Sequence, residues 1–169
     1  MDGTVELVDI SKLEYIPSGM FKEFEKLFAK NGEEKVVLLA DSSYHTQRIE
    51  QMSKEQTEEY KYPCIDNVTK KGELSCVWYS NNNTKGHFKK PKIVFGQRKS
   101  GVFADLDGEY GLTQHGYGIV DKKENIVHIE KAMLNPDFLK IMNNVDFANM
   151  RYNYKAIALF RKDWWKQFQ

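Results

Sequence analysis

Tyr62-Pro63-Cys64-Ile65-Asp66-Asn67-Val68, Lys70-Lys71-Gly72-Glu73 and Leu74-Ser75-Cys76-Val77-Trp78-Tyr79 decide the fold class of this chain. Two runs rich in β-branched and aromatic residues flank a polar, glycine-containing turn, and that pattern predicts an antiparallel hairpin. Downstream, Ser80 to His87 is a cluster of turn formers and predicts a loop. Pro91 to Phe95 predicts a further strand, with proline at the first position, where a missing N–H is tolerated. Six of the eleven glycines fall between Gly96 and Gly118, interleaved with Val102, Phe103, Tyr110, Leu112 and Tyr117, which predicts short strands joined by tight turns. Upstream, Val36 to Ala40 is a short apolar run that predicts a buried strand. The hairpin and strand 91–95 are expected to share one central mixed or antiparallel sheet.

Helical spacing lies on both sides of this β-rich centre. Met20, Phe21, Phe24, Leu27 and Phe28 follow Pro17-Ser18 and precede Gly32, predicting an amphipathic helix over 18–30. Ser53-Lys54-Glu55-Gln56 has the form of a capping box, predicting a short surface helix within the polar stretch 41–61. Ile126, Ile129 and Met133 form one helical stripe. Asn135-Pro136 caps a second, through Phe138, Leu139 and Met142. Ile157, Phe160, Trp164, Trp165 and Phe168 predict a terminal helix or helix pair over 154–168. The expectation is one α+β domain over 1–169, a central sheet with an N-terminal helix and C-terminal helices packed around it.

Apolar residues at 41% and charged residues at 29% place the chain among globular proteins. No run approaches the roughly 18 apolar residues of a membrane helix, and Asp2, Glu6 and Asp9 do not fit a basic-then-apolar export signal. A cytoplasmic protein with no membrane partner is therefore expected. There Cys64 and Cys76 stay reduced and serve as small apolar residues, and the sequons at Asn67 and Asn82 carry no glycan. Two Cys and four scattered His show no zinc-ligand spacing.

The formal net charge of +1 conceals an uneven distribution. Residues 1–73 hold 10 Lys/Arg against 15 Asp/Glu, and residues 105–169 hold 9 against 9. Leu74 to Ala104, 31 residues, contains no acid and six bases: Lys85, Lys89, Lys90, Lys92, Arg98 and Lys99. A localised positive surface of this kind attracts phosphodiesters. Asn81 to Asn83 and His87 lie in the same loop, and Gln97 lies beside Arg98 in the next turn. Amide, imidazole and guanidinium side chains read base edges, while lysines reach phosphates. The candidate contacts to double-stranded DNA are thus Asn81, Asn82, Lys85, His87, Lys89, Lys90, Lys92, Gln97, Arg98 and Lys99.

Catalytic patterns fit less well. A methyltransferase acting on DNA amino groups needs a glycine-rich cofactor turn and an Asx-Pro-Pro-aromatic loop for the flipped base. Asn135-Pro136-Asp137-Phe138 has one proline too few and reads as a helix cap, and Gly116-Tyr117-Gly118 lacks the third glycine of a dinucleotide fingerprint. Asp105, Asp107 and Glu109 alternate as the carboxylates of a metal-dependent nuclease would, yet Asp107-Gly108 is a strong turn dipeptide and no Glu-x-Lys follows. His45, His87, His115 and His128 have no serine or cysteine partner at a recognisable spacing. No catalytic residue, metal or cofactor is expected of this chain alone. The alternatives are a small nuclease using those three acids and a protein-interaction module with a basic face.

Met52-Ser53-Lys54-Glu55-Gln56-Thr57-Glu58-Glu59-Tyr60-Lys61-Tyr62-Pro63-Cys64-Ile65, Tyr79-Ser80-Asn81, Gly86-His87-Phe88, Pro91-Lys92-Ile93-Val94-Phe95 and Gly108-Glu109-Tyr110-Gly111-Leu112-Thr113-Gln114 carry a family resemblance. So do the closing Asn153-Tyr154-Lys155 and Phe160-Arg161-Lys162-Asp163-Trp164-Trp165. From about Val5 onward the chain resembles the C-terminal target-recognition region of adenine-specific restriction–modification DNA methyltransferases of the type IIG kind. The resemblance implies a specificity module that selects a DNA sequence. A separate methyltransferase catalytic domain, in cis or in trans, would transfer the methyl group from S-adenosylmethionine.

Overall fold

The computed structural model describes residues 19–96, 101–144 and 153–169. The chain is α+β, built on two four-stranded sheets. The first contains β1 (Val37–Leu39), β8 (Gly116–Val120), β5 (Lys92–Gly96) and β6 (Val102–Asp105), in that spatial order and wholly antiparallel. The second contains β2 (Met52–Ser53), β4 (Leu74–Ser80), β3 (Tyr62–Val68) and β7 (Gly111–Leu112), with β7 parallel to β3 and the rest antiparallel.

The expected hairpin is β3–β4, with Cys64 opposite Trp78 and Ile65 opposite Val77. It does not share a sheet with β5, as the sequence reading expected. Both edges of β5 are occupied by β6 and β8, so the hairpin packs against β5 face to face. Residues with apolar side chains on both faces allow this. Ile93 and Phe95 join the large core on one face of β5, and Val94 joins Ile65, Val68 and Leu112 on the other. Glycines let the layers close. A Cβ on Gly116 would come within 2.9 Å of Ile65 O, and one on Gly118 within 2.9 Å of Leu112 Cδ1.

Helices cover the first face. They are α2 (Lys123–Leu134), α3 (Pro136–Asn143), α4 (Tyr154–Ile157) and a 3-10 helix at Trp164–Phe168. Asn135 caps α3 as expected, its Oδ1 accepting from Asp137 N at 2.8 Å, and Pro136 opens the helix. The terminal segment is a helix pair, interrupted where Phe160 and Arg161 bridge Phe28 and Lys35. Ile126, Ile129, Met133, Phe138, Phe160 and Trp164 are fully buried in this core.

Three local expectations are met only in part or not at all, for identifiable reasons. The helix expected over 18–30 is only α1 (Phe21–Glu25). Beyond it Ala29 N donates to Leu159 O, so tertiary pairing replaces the next helical turn. The start of that expected helix lies outside the described residues. The strand at Val36–Ala40 forms as β1 but at a sheet edge, leaving Val37 54% exposed. The capping box at Ser53 opens no helix: Met52 and Ser53 pair with Ser80 and Tyr79, and Ser53 Oγ accepts from Glu55 N in a turn.

Candidate nucleic-acid interface

The loop leaving β4 returns to β5 through residues 81–91, and hydrogen bonds fix its course. Asn81 N donates to Gln51 O at 3.2 Å, and its Nδ2 donates to Glu50 O at 3.0 Å. Asn82 N donates to Ser80 Oγ at 3.2 Å, and Lys85 N donates to the hydroxyl of the buried Tyr44, also at 3.2 Å. Below the loop, Tyr44, Met52 and Cys64 form a small core with Trp78 and Phe88. Burial pushes the Cys64 thiol up to about 12, in keeping with an inert apolar role.

His87 holds the middle of the loop and is 1% exposed. Its Nδ1 accepts from Leu112 N at 3.1 Å, so the ring proton lies on Nε2, which faces both oxygens of Asp41 at 3.2 Å. Burial pushes the imidazole below its ordinary pKa against the pull of Asp41, and the neutral form satisfies both bonds. Burial raises the Asp41 carboxyl, but bonds from Ser43 and His87 outweigh it and hold the group below its ordinary value. Neither ring nitrogen is left to act as a base.

Lys92 is fully buried on the sheet-facing side of β5, two residues from Val94. Its Nζ donates to Asp105 Oδ2 at 2.5 Å, His87 O at 3.2 Å and Lys90 O at 3.3 Å, which uses all three ammonium protons. Burial pushes the ammonium below its ordinary pKa, and Asp105 acts against that shift. Asp105 also accepts from Glu109 N at 2.9 Å and Tyr110 N at 3.1 Å. One buried ion pair therefore ties the 81–91 loop to the 105–110 turn.

Lys89 and Lys90 stand exposed above that pair. Lys89 has a left-handed backbone, φ 60°, and its N–H donates to Gly108 O at 2.7 Å. Gly108, at φ 68°, lies so close beneath that a Cβ would overlap the Lys89 and Lys90 backbone. Lys85, further back, is half-buried. Its Nζ donates to Ser43 O at 2.6 Å and Gln51 Oε1 at 2.7 Å and lies 5.2 Å from the centre of the Tyr44 ring.

Tertiary structure therefore divides the sequence-derived set. Lys89 and Lys90 are exposed, and Asn81, Asn82 and Lys85 are partly exposed and bonded within the fold. Lys92 and His87 are corrected: both are enclosed, with their polar atoms committed internally, so neither side chain can meet a phosphate or a base edge in this arrangement. Gln97, Arg98 and Lys99 lie outside the described residues. The three alternating acids do not converge, since Asp105 serves Lys92 and two backbone N–H groups while Asp107 faces Lys123 at 2.6 Å. Among the described residues no group of three or more His, Cys, Asp or Glu could hold a metal ion.

Arg48, outside the sequence-derived set, also comes close to this loop. Its Nη1 donates to Ser43 O at 3.4 Å, the same carbonyl that binds Lys85. The polar stretch around it gave no signal, because its net charge is acidic along the chain and only folding brings it to the loop. Among the described residues no helix is long and apolar enough to cross a membrane. No family model, curated protein or solved structure matches the chain.

Proposed function

We propose that this chain is a target-recognition module for double-stranded DNA, contributing sequence choice to a methyltransferase catalytic domain supplied in cis or in trans. The observation that carries the reading is the setting of Lys89 and Lys90. A non-glycine residue in the left-handed region costs about 1 kcal/mol, and such strain clusters where a side chain has work to do. Here the strain falls on an exposed lysine, and the bond to Gly108 O and the ion pair beneath hold it. A pair of ammonium groups on an anchored turn suits phosphate contacts that fix register on a duplex. The partly exposed Asn81 and Asn82 stand in the same loop, where amides can reach base edges. The acid-free composition of residues 74–104 and the family resemblance point the same way.

The test is duplex binding across a salt series. Lys89→Ala and Lys90→Ala should each weaken binding to all sequences alike and reduce the slope of log affinity against log salt by about one unit. Unchanged affinity and slope in both variants would make the loop an ordinary solvated surface and remove the reading's main support.

A further inference from the structure

We propose that Arg48 and Lys85 form a phosphate seat, a second anchor beside the loop that carries Lys89 and Lys90, and that its ligand is a phosphodiester of the DNA backbone. This rests on the DNA-binding reading for its ligand but not for its chemistry. The two cations come from segments far apart in sequence and converge on one acceptor, Ser43 O. Their nitrogens can be no more than about 6 Å apart, the two bonds laid end to end. At that separation like charges repel, and an anion between them is the simplest relief.

No carboxylate among the described residues forms a salt bridge with either cation. Asp41, whose charge reaches Lys85, gives its oxygens to His87 Nε2 and Ser43 N. Burial, with the neighbouring Arg48 charge second, pushes the Lys85 ammonium below its ordinary pKa, and the Asp41 charge opposes that shift only in part. The geometry is also held in advance. Gln51 Oε1 and Ser43 O fix Lys85 over the Tyr44 ring and leave it one ammonium proton. Arg48 is exposed and keeps most of its planar fork free, so a tetrahedral oxyanion can take a bond from each.

Two measurements test the seat. In the first, inorganic phosphate and dimethyl phosphate are titrated into the isotopically labelled chain. Saturable shifts should centre on the Arg48 side-chain N–H and the Lys85 backbone amide, and should vanish in Arg48→Met. In the second, Arg48→Met is compared with the parent on a short duplex. Losing one phosphate contact should lower the salt slope by about one unit and cost about eightfold in affinity at about 0.1 M salt. Arg48 is exposed, so the variant should keep the parent's melting temperature. Saturable shifts without the duplex effect would assign the seat to free phosphate and overturn the backbone ligand. Shifts absent at Arg48 would overturn the seat itself, even if Lys89→Ala still weakens DNA binding. A parent chain that binds no duplex but shows the phosphate shifts would remove the DNA reading and leave the seat standing.

Discussion

Strand β5 has two sides. On one, Ile93 and Phe95 belong to a core containing Phe138, Phe160 and Trp164; on the other, the same strand's Lys92 reaches Asp105 and the carbonyls of the 81–91 loop. The first side is held by apolar area. Two polar groups on that side, the Trp164 and Trp165 indole N–H groups, are buried with no hydrogen-bond partner among the described residues. Such omissions cost about 1–3 kcal/mol each, which a large aromatic core can offset. The second side, beyond the small apolar cluster around Val94, is held by directional bonds in which Lys92, Asp105, His87 and Asp41 each meet more than one partner. Apolar packing tolerates small displacement, whereas a bonded bracket sets the loop's position closely. Under the DNA-binding function proposed above, a surface that presents cations in register gains from the second construction.

The largest effects should come from breaking each side. Phe138→Ala should cost about 3–5 kcal/mol by opening a cavity in the helical core, and urea unfolding would measure it. Asp105→Ala should cost a similar amount, about 3–5 kcal/mol, for a different reason: it strands the buried Lys92 charge and two backbone N–H groups. The two should then part company. Adding Lys92→Met should restore much of the loss in Asp105→Ala and none of the loss in Phe138→Ala. Equal behaviour in both backgrounds would erase the distinction between the two sides.

A smaller effect concerns pH. The folded pKa of His87 lies below the ordinary value of about 6.5, so just below that pH the unfolded chain binds more protons than the folded one. The stability contribution is complete above the ordinary value, begins to fall there, and is lost as the pH drops through the lower folded pKa. Urea midpoints taken at about pH 7.5 and about pH 5 should therefore differ more in the parent than in His87→Gln, whose amide can accept from Leu112 N and donate to Asp41 without titrating. The same pH dependence in both proteins would mean that the bracket does not depend on a neutral imidazole.

The smallest effect is the control for the buried pair. Lys123 and Asp107 are 57% and 70% exposed, and Lys123→Ala should change stability by less than about 1 kcal/mol in the same assay. A larger loss would mean that the 105–110 turn depends on that exposed pair as well as on Asp105.

Local chemistry made several elements legible. The β3–β4 hairpin, the Asn135 cap and the Asp107-Gly108 turn each rest on neighbours within a few residues, so periodicity and turn propensity suffice to find them. The N-terminal helix was overestimated because its later residues, Phe28 and Ala29, pair with the C-terminal segment instead. The candidate site was half legible. Charge counting found Lys89 and Lys90, but it could not separate them from Lys92, which sits at an inward position of the same stretch.

What the sequence determined by itself is the α+β class, the alternation that gives β5 two faces, and a 31-residue stretch without an acid. Tertiary structure decided the rest. It split the strands into two sheets, turned Lys92 and His87 inward, set the acids of the 105–110 turn beside the basic loop, and brought Arg48 to Lys85. The physical reason is range. Propensity and periodicity act over a few residues along the chain, whereas burial, hydrogen-bond partners and the charge a group feels depend on which distant segments fold against it.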